Sequence, residues 1–210
     1  MEKPLAVILG AGPGIGLAAA RRFALEGFRV AVVPLPGVEL DLPGALAAPA
    51  HLAQADQLRE ALGKIEAWGG FPQVLVYNAS AGTRSMAAEL PAAQALADLQ
   101  VNVLSPLAGA QWALPSMRAQ GRGTLLFTGG GLGLHPKAGL ASGSLGKAAH
   151  RSLALSFAKE LEPEGIHAAT VTIRGFVQPD TDLSPERIAQ CFWDLHVQPR
   201  GSWDKERVLP

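Results

Sequence analysis

The run Leu5-Ala6-Val7-Ile8-Leu9-Gly10-Ala11-Gly12-Pro13-Gly14-Ile15-Gly16 constrains this chain more than any other segment. A short apolar strand drops into a glycine-rich loop. An Ala-rich helix follows, Leu17-Ala18-Ala19-Ala20-Arg21-Arg22-Phe23-Ala24-Leu25-Glu26, and Gly27 stops it. Strand, glycine turn and helix N-terminus together make an anion site. The glycines let the backbone approach a diphosphate, and unpaired N–H groups of the first helical turn point at it. The spacing is not G-x-G-x-x-G, because Ile15 stands at the last position; it is G-x-x-x-G-x-G on Gly10, Gly14 and Gly16. The predicted ligand is a dinucleotide cradled by Gly10, Gly12, Gly14, Ile15 and Gly16.

Strands are expected at 5–9, 29–33, 50–53, 74–78, 124–128, 168–173 and 207–209, and helices at 15–26, 56–68, 97–117, 144–161 and 185–195. Apolar strands alternating with helices predict an α/β fold: a doubly wound, Rossmann-like parallel sheet covered on both faces. Its ligand lies beyond the carboxyl ends of the strands. We expect one dinucleotide-binding domain over residues 1–210. Pro34, Pro36, Gly37, Pro43, Gly44 and Pro49 leave the link after the second strand mostly as loop. The short stretch between Ile173 and Pro185, broken by Pro179, predicts a shortened substrate lid.

Composition removes several function classes. Eighteen basic residues balance eighteen acidic ones with no basic cluster, so the positive stripe that nucleic acid requires is missing. Cys191 is the one cysteine, which suits a reducing compartment. The apolar run after Met1-Glu2-Lys3-Pro4 is too short for a signal peptide, and no stretch reaches membrane-spanning length. A cytoplasmic protein is expected. His51, His150, His167 and His196 lack metal-ligand spacing and read as structural.

With the elements in this order, the chain resembles the short-chain dehydrogenase/reductase family over nearly its whole length. Gly10, Gly14 and Gly16 match the family's glycine motif, with Leu9 where threonine is usual. Asn78-Ala79-Ser80 looks like its N-A-G, Asn102 like its active-site helix asparagine, and Lys147 like the lysine of Y-x-x-x-K. The resemblance implies NAD or NADP as cofactor, held also by Asn78, Ala79, Lys147 and Gly175. It implies pairing through the helices at 97–117 and 144–161 into a homodimer or homotetramer, and a small-molecule substrate that no residue names. The Lys147 ammonium would bond the nicotinamide ribose, or else stand solvated at a helix start. Asn102 would orient a water or satisfy buried backbone groups.

The departures carry equal weight. The tyrosine position holds Gly143 and the serine position Gly130, while Arg174-Gly175 replaces P-G and Pro179 replaces a threonine for which Thr181 can substitute. In such enzymes tyrosine moves the hydroxyl proton and serine polarises the carbonyl oxygen; glycine does neither. Ser142 and Ser144 read as helix caps. His135, in the loop before the Lys147 helix, is a candidate proton donor or a solvated bystander. The second strand ends in Pro34-Leu35-Pro36-Gly37, with neither the acid that selects NAD nor the arginine that selects NADP. Glu39 and Asp41 come late, Arg21 and Arg22 lie on the first helix, and His51 stands near the place of an adenine-side acid. The tail around Arg200 and Trp203 either folds over the opening or is ordinary surface. Two functions follow: hydride transfer with a non-standard or impaired proton donor, and a silent dinucleotide-binding protein with a structural or regulatory role.

Overall fold

The computed structural model describes residues 3–210. Its centre is β1 (Leu5–Ala11), buried along its whole length. Because successive strand side chains point to opposite faces, Leu5, Val7 and Leu9 enter one core and Ala6 and Ile8 the other, which Ala11 joins after a register shift past Leu9. The first core lies under α2 (Ala55–Gly69), α4 (Ser105–Gln120) and α5 (Ala141–Leu161), and the second under α1 (Ile15–Leu25) and α6 (Pro185–His196). Phe23 of α1 is fully buried and meets Phe28 and Trp193 edge-on, at 5.4 and 5.7 Å.

Six further strands complete the sheet: β2 (Arg29–Pro34), β3 (Leu46–Ala47), β4 (Val74–Tyr77), β5 (Gly123–Gly130), β6 (Ile166–Ile173) and β7 (Glu206–Leu209). All pairs are parallel, in the order β3-β2-β1-β4-β5-β6-β7. The order reverses at β1, and a crevice opens beyond its carboxyl end, where the glycine loop stands. The doubly wound expectation holds.

Two elements depart most from expectation. The third strand is Leu46–Ala47 and not 50–53: the ladder closes with Ala48 N–H on Val32 O at 2.9 Å, and Pro49 has no N–H to extend it. Ala50 and Leu52 are buried as coil. The helix expected at 97–117 starts earlier, as α3 (Ala92–Leu99), and reaches α4 through a π-helical turn, Gln100–Leu104. There the Ser105 N–H bonds Gln100 O, five residues back. The tail does not cover the glycine loop. Trp203 stacks on the His167 ring at 4.9 Å and Arg200 bonds Pro163 O, both at the amino end of β6, the opposite pole of the sheet.

Candidate active site

The glycines of the loop have different tasks. Gly10 sits at φ +83°, and a Cβ there would stand 2.5 Å from the backbone N of Ala79; a Cβ on Gly16 would stand 2.7 Å from Ala11 Cα. Both are close approaches that only glycine permits. Gly12 lies under Leu35. Gly14 has nothing within 4 Å of its Cβ direction, so the loop is open there. No side chain caps α1. Leu17 N–H takes Gly12 O and Ala18 N–H takes Gly14 O. The amides of Gly14, Ile15 and Gly16 have no backbone or side-chain acceptor among the described residues, the condition in which a helix start binds an anion. The cradle fits a diphosphate.

Asn78 and Ala79 build this cradle from behind. The Asn78 amide donates to Gly10 O at 3.0 Å while its carbonyl accepts the Thr128 hydroxyl at 2.9 Å, tying the loop to β5. Ala79 packs on Gly10. Gly175 opens the short lid, where Leu183 covers its Cβ direction, and Thr181 shapes the turn by donating to Gln178 O. Toward β2 and β3 a cleft of about 500 Å³ is lined by Leu35, Val38, Glu39, His51, Gln54 and Gln57. Arg21 is occupied with Asp41 O at 3.3 Å.

The reaction end lies between β5, α5 and the loop after β4. Lys147 donates to Thr128 O at 2.9 Å, and burial pushes its amine down to about 8. Asn102 is buried in the π-helical turn; its amide donates to Ala81 O at 2.7 Å, and its carbonyl accepts from Ala81 N–H and the Ser80 hydroxyl. The side chain thus satisfies buried backbone groups. Gly146 lets α5 come down on Asn102, whose Nδ2 lies 2.3 Å from the place of its Cβ. His135 is exposed, and its ring has no polar partner among the described residues.

Neither serine caps α5, whose N-cap is Leu140. Ser142 donates to Asp98 at 2.5 Å and Ser144 to Leu140 O at 2.8 Å. The sequence reading missed Asp98. Its carboxylate also accepts Thr83 N–H at 2.7 Å, so it pins the loop after β4 to α3 and α5. Desolvation pushes this carboxyl up, but the bonds from Ser142, Thr83 and Gln94 outweigh it and hold it below its ordinary value. A lone acid in the apolar stretch Ala92–Leu99 was the available signal.

His150 was read as structural and is so. Its Nδ1 donates to Asn102 O at 2.7 Å, while its buried Nε2 has no partner among the described residues. Burial, with Lys147 nearby, pushes it down to about 4. The unfolded chain, near 6.5, therefore takes up a proton that the fold refuses as pH falls through this window. Stability is full above 6.5 and is lost on the way to 4, by about 3 kcal/mol. His196 is pushed down to about 4 and His167 is lowered, both by burial. We expect the melting midpoint to drop by on the order of 10 °C from pH 7 to 4.5; a flat profile contradicts these neutral histidines. Among the described residues no three His, Cys, Asp or Glu side chains are placed to hold a metal.

The short-chain dehydrogenase model matches residues 4–190. Oxidoreductase asL5 of Sarocladium schorii is 33% identical over 202 residues, 92% of this chain and 79% of that protein. A metagenomic short-chain oxidoreductase solved in complex with NADP superposes with a TM-score of 0.82 at 25% identity, covering 98% of this chain and 96% of that one. A short-chain dehydrogenase from Rhodopseudomonas palustris shares the fold, with a TM-score of 0.85 at 24% identity over 100% and 99% of the two chains. This chain belongs to the short-chain dehydrogenase family, the NAD(P)-binding oxidoreductases whose sheet and phosphate loop it carries.

Proposed function

We propose that this protein holds NAD or NADP with the diphosphate on the amides of Gly14, Ile15 and Gly16, and transfers hydride to a small acceptor without the family's serine and tyrosine. One observation carries the reading: the cradle and Lys147 are in place while Gly130 and Gly143 leave the two hydroxyl positions bare. The bound nucleotide supplies the hydride. The chain holds it, orients it through Lys147, and admits water past a short lid. Acceptors with an activated C=C or C=N bond suit such a site, because the anion left after hydride addition is easily protonated.

Residues 1–210 are read as one domain. Leu104 and Leu145, about half exposed on the helices through which family members pair, support a homodimer or homotetramer. No helix among the described residues is long and apolar enough to cross a membrane; a cytoplasmic setting is our reading from Cys191.

The same two glycines favour a second reading, a silent dinucleotide-binding protein. Turnover of NADH and NADPH with panels of ketones, enones and imines separates the two. We expect oxidation with enones or imines at least tenfold faster than with simple ketones. Saturable nucleotide binding with no oxidation across all three panels would establish the silent role.

A further inference from the structure

Every hydroxyl near the reaction end of the cleft is already committed. Thr128 gives its proton to Asn78, Ser142 to Asp98, Ser144 to Leu140 O, and Ser80 to Asn102. The Asn102 side chain is tied to Ala81 through both its amide and its carbonyl, and His150 donates inward to Asn102 O. Lys147 differs. An ammonium has three N–H donors, and the structure gives its Nζ one acceptor, Thr128 O, with no carboxylate paired to it among the described residues. Its stem runs past the bare Gly130, whose Cβ position lies 3.4 Å from Lys147 Cε. At Gly143, one helical turn away on the same face, a Cβ would meet nothing nearer than Leu132 at 3.5 Å. Two side chains are therefore missing around an ammonium that has N–H bonds to spare.

We propose that Lys147 is itself the proton donor of this site, acting directly on the acceptor and not through an intervening phenol. The proposal rests on the reading above that a nicotinamide nucleotide delivers the hydride. Hydride reaches the carbon of the acceptor's C=X bond and the π pair moves to X. The N–H bond of Lys147 breaks as X–H forms, its electron pair staying on Nζ. The acceptor gains two electrons and the nicotinamide loses two; the neutral amine recovers its proton from water. A lysine desolvated to about 8 is still protonated at neutral pH and is a stronger acid than a free phenol, which titrates near 10. Burial is the cause of that shift; His150, the next basic group along α5, is itself kept neutral by burial, and Arg151 is paired with Glu206.

Two measurements test it. Acetic anhydride labelling, read by peptide mass across pH 6 to 10, should modify Lys147 with a half-point near 8, ahead of ordinary lysines near 10.4, and NADH or NADPH should protect it. Then 9,10-phenanthrenequinone reduction should fall above that pH in the natural chain. Lys147→Arg keeps the cation but is too weak an acid; it should lower kcat by roughly 10²-fold, a larger loss than any weakening of nucleotide binding measured alongside. Activity of Lys147→Ala should be partly rescued by added methylamine. A half-point at the ordinary lysine pH, an unchanged kcat in Lys147→Arg, or no quinone reduction despite nucleotide binding each overturns the proposal. Failure of both nucleotides to bind overturns the underlying reading instead, and the labelling half-point still judges the amine.

Discussion

Gly130→Ser combined with Gly143→Tyr is expected to raise the reduction of simple ketones by roughly 10²- to 10⁴-fold, the usual worth of a positioned acid and an oxyanion donor. The backbone is ready for both. A Cβ on Gly130 meets only the flexible stem of Lys147 at 3.4 Å, and one on Gly143 meets Leu132 Cδ1 at 3.5 Å and Gly82 Cα at 3.9 Å. Neither glycine has a left-handed backbone, so an L side chain is unstrained. Removing a glycine from the first turns of α5 also favours the helix by up to about 1 kcal/mol. The restored phenol would hang one helical turn from the Lys147 ammonium. Rates of NADPH and NADH oxidation with acetophenone, for each single and for the double variant, measure the effect. If the double variant gains less than about threefold, something other than the bare positions limits the chemistry.

Gly10→Val should remove dinucleotide binding and much of the stability together. The residue is held at φ +83°, and the new Cβ would lie 2.5 Å from both the N and the Cβ of Ala79. Left-handed strain and overpacking sum to on the order of 3 kcal/mol or more, a fall in melting midpoint on the order of 10 °C in a chain of this size. Gly14→Ala separates folding from binding. Its Cβ meets nothing within 4 Å, so the melting midpoint should hold, while the methyl intrudes where the diphosphate must lie and weakens nucleotide binding about tenfold. Equal affinity in Gly14→Ala and the natural chain would place the ligand elsewhere.

Local chemistry made much of this legible. The apolar strand that starts at Leu5, the glycine loop and the helix from Pro185 are short-range signals. The third strand was misplaced because its two ladder residues carry no pattern of their own; Pro49, not hydrophobicity, sets where the pairing ends. The π-helical turn was invisible because nothing in Gln100–Leu104 departs from helical spacing, and the extra residue is absorbed through the bond to Gln100 O. Ser142 and Ser144 looked like caps because a cap is the commonest use of serine before a helix. Their real partners, Asp98 and Leu140 O, depend on where α3 and the start of α5 pack. Asn102 and Lys147 could be located from sequence, but that one is tied to Ala81 while the other is a buried cation with a single acceptor is a fact of tertiary geometry.

The amide signals of Gly14, Ile15 and Gly16 report most directly on the central claim. In a ¹⁵N-labelled sample titrated with NADH, NADPH and free pyrophosphate, these three resonances should shift together and saturate with at least one nucleotide, with pyrophosphate moving the same set more weakly. Saturating nucleotide that leaves all three unmoved would contradict the account.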